Sequence, residues 1–109
     1  MHMELYKYQI EDNSEVFMKQ CAQVALLGRV PRSLRAVSVE QQGKKILMRC
    51  IFDGDPDDNE KRLMDDMIHN FISLMLDGYE ASLEVVAVAA PQKMDHRKHL
   101  IYWRYEGWL

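Results

Sequence analysis

Two β-rich runs joined by a very short connection constrain the fold of this chain more than any other feature. The stretch SLRAVSVEQQGKKILMRCIF contains a run from Leu34 to Glu40 and a run from Lys45 to Phe52, with Gly43 between them. This arrangement is typical of a β-hairpin. Successive side chains of a strand point to opposite faces, so the second run has one apolar side. That side consists of Ile46, Met48, Cys50 and Phe52.

Helical periodicity precedes and follows this hairpin. A first helix is predicted from Asn13 to Leu27, where Asp12 and Glu15 resemble a capping box and Gly28 follows the last turn. A second is predicted from Pro56 to Leu76, because proline is favoured at the first helical position. Asp55, the residue before Pro56, is the predicted N-cap. The predicted core residues are Phe17, Val24, Ile46, Met48, Phe52, Met67, Ile68, Phe71 and Met75.

Two further strands are predicted after the second helix, from Glu80 to Ala89 and from His99 to Tyr105. The order α-β-β-α-β-β predicts one α+β domain over residues 1–109, with hairpins joining the strands of each pair. The economical packing is a four-stranded antiparallel sheet with both helices packed on one face. The alternating segment Glu4 to Ile10 is predicted to form a short edge strand or an ordered arm.

The opposite face of this predicted sheet is more apolar than a solvated face usually is. It contains Leu47, Arg49, Ile51, Val86 and Val88. Two coverings are consistent with this pattern. The N-terminal arm could lie on the face, or a partner could, including a second copy in a homodimer.

Composition excludes several classes of protein. The chain has 109 residues, of which 48% are apolar and 28% charged, as in an ordinary globular domain. The sequence has no apolar run long enough to cross a bilayer and no signal peptide, which predicts a cytoplasmic protein with no membrane partner. Cys21 and Cys50 are predicted to be reduced core thiols. A pI near 5.8 argues against a nucleic-acid ligand.

An acidic stretch from Asp53 to Asp66 joins the hairpin to the second helix. It has seven acidic side chains against Lys61 and Arg62, a net charge of −5 in a chain whose total is −3. A calcium loop, a helix N-terminus and a surface for a basic partner could each produce such a stretch. The acidic residues are Asp53, Asp55, Asp57, Asp58, Glu60, Asp65 and Asp66.

Metal binding and catalysis find little support in the sequence. A calcium loop starting at Asp53 would need glycine at its sixth position and glutamate at its twelfth, where Asp58 and Met64 stand. Asp95, His96 and His99 form no complete zinc set, since no second Cys/His cluster has ligand spacing. The sequence has no nucleophile elbow and no phosphate-binding loop. We therefore predict a binding protein rather than an enzyme, with no metal and no cofactor.

One third of the chain resembles a known class of bacterial proteins. The run VPRSLRAVSV from Val30 to Val39, the glycine-containing hairpin, the Phe52-Asp53-Gly54 end of its second strand and the acidic helix start are similar to those of immunity proteins. These proteins accompany secreted polymorphic toxins, including those of contact-dependent growth inhibition systems. The resemblance implies a cytoplasmic protein that binds and neutralises its cognate toxin domain.

The charge pattern is consistent with such a partner. Many toxin domains of this kind are nucleases, whose clefts are basic, so a carboxylate cluster could occupy the cleft and accelerate association. The predicted partner-binding residues are Asp53, Asp57, Asp58, Glu60, Asp65 and Asp66. Of these, Asp53, Asp65 and Asp66 are least explained by helix capping.

Two alternatives remain open from the sequence. The first is a self-associating structural or regulatory α+β module without a toxin partner. The second is an enzyme that uses the Asp65 and His69 pair or the His96 and His99 loop.

Overall fold

The computed structural model describes residues 14–107, and its elements follow the predicted order α-β-β-α-β-β. The predicted strand from Glu4 to Ile10 lies outside the described residues, as do Asp12 and Asn13 at the predicted start of the first helix. The elements are α1 (Ser14–Leu26), β1 (Leu34–Gln42), β2 (Lys45–Phe52), α2 (Asp58–Leu74), β3 (Glu80–Ala87) and β4 (His99–Trp103).

The predicted hairpin is confirmed. β1 and β2 pair antiparallel, and Gln42 lies opposite Lys45, so the connecting loop has only two residues, Gly43 and Lys44. Gly43 has φ of +62°, a conformation that glycine adopts without the steric cost of a Cβ atom. The turn therefore fixes which residues of the two strands face each other.

The predicted sheet topology is wrong in one respect, because the sheet is mixed rather than antiparallel. Its strand order is β3-β2-β1-β4, and β3 runs parallel to β2 from the Lys45–Glu80 pair to the Phe52–Ala87 pair. β4 pairs antiparallel with β1. A parallel pair requires a crossover connection, which residues 53–79 provide through α2. β3 and β4 consequently lie at opposite edges of the sheet instead of forming a hairpin.

The core lies between the helices and one face of the sheet. In α1 the buried residues Met18, Cys21, Ala22 and Ala25 follow helical spacing. Among the predicted core residues, Ile46, Met48, Phe52, Met67, Phe71 and Met75 are buried, and Phe17 and Ile68 are partly buried against them.

Val24 is the incorrect core prediction. Its side chain is 48% exposed. The buried row of α1 passes through Ala22 and Ala25, and a residue between these positions on a helix points away from the core.

The two cysteines are confirmed as buried free thiols. Cys21 lies on α1 and Cys50 on β2, both inside the core between helices and sheet. Burial raises the pKa of the Cys50 thiol to about 12, because the apolar surroundings disfavour the thiolate.

Candidate functional site

The acidic stretch begins with a carboxylate that bonds within the chain. Asp53 follows β2 directly; its Oδ1 accepts a hydrogen bond from the Ala90 N–H at 2.9 Å and its Oδ2 one from Arg104 Nη2 at 3.2 Å. These partners, the backbone N–H first and the guanidinium second, lower the pKa of the Asp53 carboxyl. Asp53 thus joins the end of β2 to the segments that follow β3 and β4.

The N-cap of α2 is Asp57, so the predicted N-cap at Asp55 was wrong. Asp57 Oδ1 accepts from the Glu60 N–H at 2.7 Å, and Glu60 Oε1 accepts from the Asp57 N–H at 2.9 Å. This reciprocal pair is a capping box, which needs an acceptor side chain three residues after the cap. The residue three positions after Asp55 is Asp58. Because Asp58 is the first residue of α2 rather than its third, Asp55 and Asp58 do not form this pair.

Glu60 also links α2 to the connection before β1. Its second carboxylate oxygen, Oε2, accepts a hydrogen bond from the Ser33 hydroxyl. Both oxygens of Glu60 are therefore used inside the protein, and Asp57 and Glu60 together fix the position of the first turn of α2.

A second set of acidic side chains faces solvent. Asp58, Asp65 and Asp66 lie on the exposed side of α2, and within residues 14–107 their carboxylates make no hydrogen bond or ion pair. Asp55, before the helix, is exposed in the same way. Four of the seven acidic side chains therefore lie at the surface without a hydrogen bond or ion pair within the described residues, on a helix that also exposes Lys61 and Arg62, while three stabilise local structure.

The outer face of the sheet, opposite the helices, is covered by the chain itself. Residues 88–98 connect β3 to β4 and cross this face. The Arg97 N–H donates to the Ser38 hydroxyl oxygen at 2.8 Å, and Arg49 Nη1 donates to the Asp95 carbonyl oxygen at 2.8 Å. Beneath the connection Ile51 is only 1% exposed. The prediction that an arm or a partner covers this face missed this third covering.

Arginine and glutamate residues hold the connection on the sheet. Arg49 Nε lies 2.7 Å from Glu84 Oε1, and Arg97 Nη2 lies 3.3 Å from the same oxygen. The hydrogen bond from Arg49, and secondarily the charge of Arg97, lower the pKa of Glu84. Arg35 Nη1 donates to the carbonyl oxygens of Val88 and Gln92 at 2.8 and 3.0 Å. Sequence reasoning missed this network; arginine within otherwise apolar strands was its signal.

The residues considered for catalysis do not form a catalytic arrangement. His69 Nδ1 lies 2.7 Å from the backbone carbonyl oxygen of Asp65 rather than from its carboxylate. His99 Nε2 contacts Glu15 Oε2 at 3.0 Å, whereas His96 is exposed. In the part of the chain that the structure describes, no three His, Cys, Asp or Glu side chains are grouped closely enough to hold a metal ion.

Within residues 14–107, neither α1 nor α2 combines enough length with enough apolar character to cross a membrane.

A known protein family matches most of this chain. The family model described as MafI2 immunity protein matches residues 15–106, which covers every strand, all of α2 and all of α1 except its first residue. A search of curated proteins found no match.

Proposed function

This chain belongs to the MafI2 immunity protein family, and from that membership we propose that it binds and neutralises a cognate toxin domain in the cytoplasm. An immunity function implies a toxin partner in general. We propose further that this partner has a basic surface, as the active cleft of a nuclease has, and that the protein acts by binding rather than by catalysis.

The observation that carries this proposal is the set of unpaired carboxylates on α2. Asp58, Asp65 and Asp66 are exposed and have no cationic partner among the described residues, so their field extends into solvent. Charges of this kind attract an oppositely charged protein and accelerate encounter. We assign them the direct contact with the toxin.

The remaining predicted binding residues are assigned a supporting role. Asp53 bonds to Arg104 and Ala90, and Asp57 and Glu60 bond to each other's backbone N–H groups. A carboxylate oxygen that already accepts a hydrogen bond within the chain is less available to accept one from a partner protein. These three side chains are proposed to hold α2 where its exposed acidic residues can meet the toxin.

The alternative of a self-associating module is less well supported. That interpretation relied on an open apolar sheet face, and residues 88–98 lie across much of this face. A toxin partner needs no such opening, because the exposed side of α2 is on the opposite side of the sheet.

Charge reversal with a matched control tests the proposal. The probe is a purified cognate toxin domain, and binding is followed by stopped-flow kinetics at several salt concentrations. Asp66→Lys should slow association several-fold at low salt and weaken its salt dependence, as rim charges do. Asp77→Lys makes the same charge change at an exposed position between α2 and β3 and should have a smaller effect.

Two results would contradict the proposal. One is the absence of binding by the unmodified chain. The other is equal association rates for the unmodified chain, Asp66→Lys and Asp77→Lys at all salt concentrations, which would show that the acidic side of α2 does not meet the toxin.

A further inference from the structure

The connection between β3 and β4, residues 88–98, lies on the sheet without burying any of its own side chains. The structure describes all of these residues, and each of them is at least partly exposed. The hydrophobic core accordingly contains none of them. A segment that buries little apolar surface opens at a low cost in free energy, because burial supplies most of the stability of folded regions. Hydrogen bonds and ion pairs must therefore hold this connection in place.

Two arginines of the sheet bind the connection, one near each of its ends. Arg35 Nη1 of β1 donates to two carbonyl oxygens of the first half of the connection, at 2.8 and 3.0 Å. Arg49 Nη1 of β2 donates to the Asp95 carbonyl oxygen in the second half at 2.8 Å. A glutamate orients each guanidinium: Arg35 Nε lies 2.8 Å from Glu106, and Arg49 Nε lies 2.7 Å from Glu84. The attachment of the connection is thus polar at both ends.

The sheet face beneath the connection is apolar. Ile51 of β2 points to this face and is 1% exposed, and its neighbours across the strands are Ala36 of β1, which is fully buried, and Val86 of β3. The adjacent residue, Cys50, points to the opposite face and into the core between helices and sheet. Opening of the connection would bring Ile51 into contact with water and leave Cys50 buried.

The connection is longer than the distance that it spans. β3 ends at Ala87, which lies level with Leu34 of β1 across β2. β4 begins at His99, which pairs with Val39 of β1. Three strand spacings of about 4.8 Å and five residues of about 3.3 Å along β1 place these two ends about 22 Å apart. The twelve Cα–Cα steps from residue 87 to residue 99 reach up to about 40 Å. The connection can therefore leave the face while β3 and β4 stay paired.

We propose that residues 88–98 form a lid on the outer face of the sheet, held closed by Arg35 and Arg49. The lid opens as a unit and uncovers the apolar residues around Ile51, while both helices and all four strands remain in place. Folded domains open locally where few apolar contacts hold a segment, and this lid is such a segment. Its open form has an apolar surface that the closed form lacks. The lid is independent of the toxin contact proposed on α2, so its test requires no toxin.

Thiol labelling distinguishes opening of the lid from unfolding of the whole chain. Ile51→Cys places a thiol beneath the lid, and the native Cys50 beside it reports exposure of the core. Tandem mass spectrometry after iodoacetamide treatment assigns the label to each thiol. The introduced thiol should react about tenfold faster than Cys50 or more. Its rate should change little in dilute urea, because local opening exposes little surface.

Removal of one arginine tests what holds the lid closed. In the Ile51→Cys background, Arg49→Met removes the hydrogen bond to the Asp95 carbonyl oxygen and leaves Glu84 its contact with Arg97. Labelling of the introduced thiol should accelerate several-fold, with Cys50 still much slower. Arg62→Met is the matched control, because it removes an exposed arginine of α2 on the other side of the sheet. It should change the labelling rate of the introduced thiol by less than about twofold.

Amide hydrogen exchange makes the same comparison in the unmodified chain. The Ala90 and Arg97 N–H groups of the lid donate to Asp53 and Ser38, so they are protected only while the lid is closed. They should exchange faster than the amides of the central strand β1 and slower than unprotected amides.

Three results would overturn the lid. One is equal labelling of the introduced thiol and Cys50, with lid amides that exchange as slowly as those of β1, because the face would then open only on global unfolding. Another is lid amides that exchange without any protection, which would show that the lid is not closed. The third is equal labelling of the introduced thiol in Arg49→Met and Arg62→Met, which would show that Arg49 does not hold it.

Discussion

Arg35 and Glu106 form a two-point ion pair although 71 positions separate them in the sequence. Arg35 Nε lies 2.8 Å from Glu106 Oε2, and Arg35 Nη2 lies 2.9 Å from Glu106 Oε1. Arg35 is only 2% exposed. Because Arg35 also bonds to the β3–β4 connection, one buried side chain holds both that connection and the segment after β4 against β1.

Removal of the buried guanidinium should be costly. Arg35→Met leaves Glu106 without its main partner and frees two backbone carbonyls, so we expect a loss of about 3 kcal/mol in the free energy of unfolding. Urea unfolding measures this loss. Arg32→Met replaces an exposed arginine nearby and should change stability by less than about 0.5 kcal/mol. Equal effects of the two substitutions would show that the Arg35 network does not stabilise the fold.

The same pair should make stability depend on acid pH. The hydrogen bond from Arg35, and then Arg104, lower the pKa of Glu106 in the folded state below its unfolded value of about 4.3. A lowered folded-state pKa means that the stabilisation is present above the unfolded pKa and is lost as the pH falls through the folded pKa. The difference in urea midpoint between the unmodified chain and Glu106→Gln should therefore shrink between pH 5 and pH 3. A constant difference would contradict this assignment.

Thermal stability should depend on the side chain of Asp57, which caps α2, and much less on that of Asp55. Asp57→Ala removes the acceptor for the Glu60 N–H and should cost about 0.5–2 kcal/mol. Asp55→Ala, at an exposed carboxylate outside the helix, should cost much less. Thermal unfolding of the two variants gives the comparison, and a larger loss for Asp55→Ala would place the cap where the sequence alone suggested it.

Two side-chain truncations test which sides of α1 and α2 face the core. Phe71 of α2 is fully buried, so Phe71→Ala should cost about 3–5 kcal/mol through lost burial and the cavity that remains. Val24→Ala removes a half-exposed side chain and should cost less than about 0.5 kcal/mol. Chemical denaturation at neutral pH measures both. Similar losses for the two variants would mean that α1 is oriented differently from the arrangement described above.

Predictions based on nearby residues were the most accurate. The β1–β2 hairpin follows from two alternating runs and Gly43, and β2 was predicted with its observed limits, Lys45 to Phe52. The buried positions of α2 follow from apolar residues three and four apart. The cap was misplaced by two residues because Asp55 and Asp57 both have a preferred cap side chain, and only the contact with Glu60 distinguishes them.

The sequence by itself determined the elements, their order and the family resemblance, because helix periodicity, strand alternation and turn chemistry depend on residues close together in the chain. The tertiary structure decided which strands are neighbours. Eleven residues separate β3 from β4, and a connection of that length can form a hairpin or cross the whole sheet. Whether β3 and β4 become neighbours depends on the sheet edge at which the chain re-enters after α2. It also depends on ion pairs between residues far apart in the sequence, such as Arg35 and Glu106. The same long-range packing separated the acidic residues into three that make hydrogen bonds within the chain and four that make none among the described residues.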